Sequence, residues 1–80
     1  MKPIEIKYRK LGKEKAHGLA WCEKGLIEID TRVLGYNLVY TLIHEIIHVQ
    51  NPTWAEIKVE GHSRQMTALL WEQGIRKVDL

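Results

Sequence analysis

Val39, Leu42, Ile43, Ile46 and Ile47 recur at three- and four-residue spacings, the pattern of a helix with an apolar stripe against a core. Set into that stripe is His44-Glu45-Ile46-Ile47-His48. Four residues advance a helix by about 400°, so His44 and His48 stand one turn apart on one face. Two imidazoles so placed can share a metal ion. Glu45, rotated by about 100° from His44, lies beside such an ion and not on it. There a carboxylate can take a proton from an activated water without occupying a coordination position. The spacing thus points to a zinc hydrolase, with zinc inferred from nitrogen donors at one ion per chain.

The elements on either side are short. Ile4-Glu5-Ile6-Lys7-Tyr8 alternates with period two and reads as a half-buried strand. Residues 9–17 are charged, contain Gly12 and read as an exposed connection. Residues 18–22 and 26–30 flank Glu23-Lys24-Gly25 and form a predicted hairpin, with Ile27 and Ile29 on one face. The motif helix is expected to begin between Leu34 and Asn37, with Asn37 a candidate N-cap, and to stop at Asn51-Pro52. Thr53 to Glu60 reads as loop or a turn of helix. A second helix is expected from Gly61 or His62 to Gln73, with Met66, Leu69 and Leu70 as its apolar side. Gly74 is its left-handed stop and Ile75 packs back. Val78 and Leu80 lie in a tail read as exposed. The fold class is therefore α+β: a single domain over residues 1–80, with about three short antiparallel strands followed by two packed helices, an arrangement that, with the motif, resembles a small zincin core.

Eighty residues support only a small core, so a staple is expected. Cys22 is the one cysteine, which excludes an intrachain disulfide and leaves a metal or oligomerisation. A lone thiol fits a reducing cytoplasm. Cys22 itself, beside Trp21, reads as a small buried hydrophobe. No apolar run approaches the ~18 residues of a membrane span, and none is expected to act as one. The net charge of +2 does not by itself imply nucleic acid. In the first fifteen residues six Lys and Arg face only Glu5 and Glu14, so a basic arm for nucleic acid stands beside the plainer reading, a solvated edge that resists aggregation.

Catalytic zinc takes three protein ligands and leaves one position open. His62 is the leading third ligand, fourteen residues after His48 and at the expected start of the second helix; Glu60 and Glu56 compete with it. His17 reads as a surface residue. Tyr36 and Tyr40 are weighed as aids to the oxyanion and left outside the site.

Three segments, Leu26–Asp30, Leu42–His48 and Gly61-His62-Ser63-Arg64-Gln65-Met66, together resemble the SprT/Spartan family of zinc metallopeptidase domains over roughly residues 18–75. The resemblance implies a strand, a motif-bearing helix, a short insertion and a third histidine opening the next helix. It implies His44, His48 and His62 as metal ligands and Glu45 as the catalytic carboxylate. The expected function is peptide-bond hydrolysis by a zinc-activated water with Glu45 as general base. The substrate would be a peptide or protein extended along a sheet edge, taken to be Leu26–Asp30. The family's association with DNA makes nucleic acid a second, weaker candidate partner. The alternative is a binding domain in which zinc is only a staple, closed by a fourth protein ligand such as Glu60. A third reading keeps the fold with activity that is latent or dependent on a partner.

Overall fold

The computed structural model describes residues 3–12 and 16–76. Three strands, β1 (Glu5–Arg9), β2 (Gly18–Trp21) and β3 (Leu26–Asp30), precede two helices, α1 (Gly35–Gln50) and α2 (Glu56–Glu72). The α+β class and the hairpin of β2 with β3 are as expected. The strands are not all antiparallel: the sheet order is β1-β3-β2, and β1 runs parallel to β3. Both β1 and β2 meet the end of β3 at Asp30. Arg9 is its register partner on one side, and on the other Asp30 N donates to His17 O at 2.8 Å. β3 therefore lies between the two earlier strands.

Asp30 ties Leu11, just after β1, to this end of β3. Its buried carboxylate accepts from Leu11 N at 3.3 Å, Arg32 N at 2.9 Å, and Arg32 Nε and Nη2 at 3.0 and 2.8 Å. Leu11, read from sequence as part of an exposed connection, is completely buried. The Arg32 guanidinium and the two amides hold the Asp30 carboxyl well below the usual range. A depressed native pKa stabilises the fold above the unfolded-state value of about 3.9. That contribution is lost as pH falls through the native value. Asp30→Asn should therefore melt below wild type at neutral pH, and the gap should narrow as the solution is acidified below the ordinary aspartate range. Thermal melts across pH 2–7 read this directly; a gap independent of pH would count against it.

α1 is the central layer. Its stripe divides by helical angle: Leu38, Leu42, Ile46 and Val49 pack with Ile27, Ile29 and Val33, while Val39, Ile43 and Ile47 pack with Val59, Trp54 and Trp71. The sheet thus lies on one side of α1 and α2 on the other. β1 is exposed throughout, against the expectation of a half-buried strand. Its Ile6 and Tyr8 share a face with Ile27 and Ile29, but α1 packs over β2 and β3 and leaves that edge open. The start of α1 falls in the expected window, with Leu34 as N-cap; Asn37 is inside the helix.

α2 departs more. It begins at Glu56, five residues earlier than the sequence reading, and Gly61 lies in its interior. Its buried face is Val59, Ser63 and Thr67; Met66, Leu69 and Leu70, read as the apolar side, are largely exposed. Ser63 and Thr67 escape an unsatisfied-hydroxyl penalty by donating to Val59 O and Ser63 O, each at 2.6 Å. Small, internally bonded residues let α2 lie close to α1. Gly74 ends the helix at a φ of 80°, and Ile75 N returns to Leu70 O at 2.9 Å, although the Ile75 side chain stays exposed. Val78 and Leu80 lie outside the described residues.

Candidate metal centre

On α1 the arc between the sheet-facing and α2-facing sides carries His44 and His48, with Thr41 and Glu45 next to them on the side of β2. The imidazoles are half-buried, their ring centroids 4.8 Å apart. Both aim Nε2 at the first turn of α2. His44 Nε2 lies 2.7 Å from Glu56 Oε1, and His48 Nε2 lies 2.9 Å from Glu56 Oε2. The three donors fall within 4.8 Å of one another. Two imidazoles and a carboxylate are a donor set that catalytic zinc uses, so the residues present fit the ion that the motif implies.

Glu56 reaches this point because α2 starts early. The turn Asn51 to Trp54, closed by Trp54 N to Asn51 O at 3.0 Å, reverses the chain after α1 and sets Glu56 at the helix start. A carboxylate there also complements the positive end of the helix dipole.

His62 is placed elsewhere. Six residues beyond Glu56, it is turned by about 120° from it around α2. It is exposed and stacks on Trp54 with centroids 5.1 Å apart. Lys58 covers the same indole at 4.1 Å. The structure therefore brings His44, His48 and Glu56 together and leaves His62 out. Glu60 lies one turn after Glu56 on the cleft wall and pairs with Arg64 at 3.5 Å.

Glu45 is buried beside the cluster. Burial raises its pKa above the ordinary carboxylate value. The imidazoles of His44 and His48 pull against that shift, and Glu56 adds to it. The site opens into a cleft of about 460 Å³ lined by Asn37, Tyr40, Thr41, Glu60, His17 and Gly18 with His44, Glu45 and Glu56. A second hollow continues past Leu19, Ala20, Cys22 and His48. Tyr40 packs its ring on His44 at 5.6 Å, whereas Tyr36 stacks edge-on against Trp71 at 5.3 Å, away from the cleft. His17 is exposed, as read from sequence, yet borders the cleft. Cys22 is exposed, not buried: it sits in the hairpin turn with Sγ donating to His48 O at 3.5 Å. His44 Nδ1 is buried without a protein partner among the described residues.

β3 lies in the middle of the sheet, so the edge above the cleft is that of β2, not Leu26–Asp30. His17 O and Asp30 N bond to each other, so alternation turns the backbone groups of Leu19 toward β3 and those of Gly18 and Ala20 outward.

Among the described residues, no helix is long and apolar enough to cross a membrane. Lys7 and Arg9, part of the basic N-terminal region, pair with Glu5 and Glu28. No protein-family model matches the chain, and the searches of curated proteins and of solved structures found no match.

Proposed function

We propose that the chain is a zinc-dependent peptidase, with His44, His48 and Glu56 holding the ion and Glu45 as general base. The observation that carries this reading is the three-donor cluster at the floor of an open cleft with a buried, non-ligating carboxylate beside it. A zinc ion bound there would supply Lewis acidity at the scissile carbonyl and bring the pKa of a water toward about 7. Glu45 takes the proton of the attacking water and returns it to the departing amine. The outward amides and carbonyls of Gly18 and Ala20 offer an extended substrate a strand to pair with, so the substrate class is an unstructured peptide or protein segment.

A staple-only zinc site would call for a fourth protein ligand. Among the described residues the cluster has three donors, and Glu60 turns to Arg64, which favours the open site. The SprT/Spartan kinship belongs to this proposal, with Glu56 standing where the resemblance implies a histidine. The exposed Cys22 thiol suits a reducing compartment such as the cytoplasm.

The test is hydrolysis of an unfolded protein by the zinc-loaded chain, with new amino termini identified by mass spectrometry. Cleavage should stop on chelation and return with zinc. A zinc-loaded chain that cleaves no unfolded protein or peptide library would overturn the proposal.

A further inference from the structure

Gly18 opens β2 directly above Glu45. Its backbone does not need a glycine: positive φ occurs at Gly25, Gly35 and Gly74 and not here. The requirement is spatial. Gly18 is the register partner of Ile29, whose side chain faces α1, so a side chain at position 18 would face α1 too. A Cβ there would lie 2.8 Å from Thr41 Cγ2 and 3.1 Å from both Glu45 Cγ and Glu45 Oε2. By contrast, a Cβ at Gly61 would meet nothing within 4 Å.

Neither neighbour can yield freely. Thr41 is β-branched, and its Oγ1 donates to Asn37 O at 2.7 Å, so swinging the methyl aside breaks that bond. Glu45 can yield only by moving the carboxylate that stands beside His44 and His48.

We propose that Gly18 is a positioning residue, whose missing side chain lets β2 close on α1 so that the strand backbone holds the Glu45 carboxylate in its working place. This rests on the metallopeptidase reading and extends it to the strand that substrate would meet. The three atoms nearest to such a Cβ belong to Thr41 and Glu45 and not to His44, His48 or Glu56, so its effect should appear on the base and not on metal uptake.

The experiment compares zinc-loaded wild type, Gly18→Ala, Thr41→Ser and Gly18→Ala/Thr41→Ser. Zinc per chain, melting temperature and the Kd of acetohydroxamate are measured for each. Acetohydroxamate releases a proton on binding a metal, and a correctly placed carboxylate accepts it, so its affinity reports Glu45 without any choice of peptide. Gly18→Ala should keep its zinc and lose at least about tenfold in acetohydroxamate affinity, in line with the cost of misplacing a group by about 1 Å. Thr41→Ser alone should match wild type, and in the double variant removal of the methyl should restore most of the loss.

Equal affinity in Gly18→Ala and wild type would overturn the inference and leave the metal site standing. Zinc and acetohydroxamate lost together, or failure of both Gly18 variants to fold, would assign the glycine a packing role only and overturn it as well. A Gly18→Ala chain that folds only when Thr41→Ser is added would likewise assign the glycine a packing role and overturn it. Wild type that takes up no zinc would overturn the metal site itself, and the inference with it.

Discussion

Glu56→Ala should lower zinc affinity by about a hundredfold or more, whereas His62→Ala should leave it unchanged. Loss of a hydrogen-bonding partner behind a ligand typically costs about 10–100-fold in metal affinity, and loss of a ligand exceeds that. Glu56 presents one carboxylate oxygen to each imidazole, at 2.7 and 2.9 Å. His62 is about 120° away around the helix and occupied with the Trp54 ring. Removing it forfeits a stacking contact, so both variants should be compared well below their melting temperatures, by competition with a chromophoric chelator. Zinc retained in Glu56→Ala and lost in His62→Ala would return the third ligand to His62. It would also require α2 to begin nearer Gly61, so that His62 rather than Glu56 faced α1.

That pair of variants separates two readings of one stretch, and the stretch shows where sequence stops being sufficient. The α1 pattern is redundant: apolar residues at two helical angles, a histidine pair and a Pro-terminated end all agree, so its extent and the placement of His44 and His48 on one face with Glu45 beside them could be expected from residue order alone. The start of α2 had conflicting signals. Gly61 resembles a boundary, because glycine in a helix interior costs about 1 kcal/mol relative to alanine. Glu56, Lys58 and Glu60 are good helix formers and an acidic residue opens the segment, which argued for the earlier start, while the β-branched Ile57 and Val59 argued against it.

Moving the start by five residues turns the helix face. That change exchanges His62 for Glu56 at the cleft, and Met66 and Leu69 for Ser63 and Thr67 in the core. The buried face escaped an apolar-stripe search because two of its members are hydroxyl residues bonded to their own helix. Strand order was hidden for a different reason. Period-two alternation in residues 4–8 fixes a strand but not its neighbour, and the bond from Leu11 to Asp30 joins residues far apart in the chain.

Glu45→Gln is the sharper test of chemistry. It should lower kcat by about 10²–10⁴-fold, the usual contribution of a positioned general base, while zinc content stays at that of wild type. The amide keeps the shape of the side chain but cannot take the proton. Glu45 supplies none of the three clustered donors, so metal uptake has no reason to change. In the zinc-free chain thermal stability should hold or rise. The Glu45 carboxylate is buried, and burial is the largest cause of its raised pKa, so the charged form is disfavoured where it stands and a neutral isostere relieves that strain. A residue that costs stability where it sits, yet whose replacement removes activity without removing metal, is one kept for its chemistry. Turnover within about tenfold of wild type would fall short of what a general base supplies and would deny Glu45 that role. Loss of zinc together with activity would instead make Glu45 part of the metal's own support, with the proton acceptor to be sought among Glu60, His17 and Tyr40, which border the same cleft.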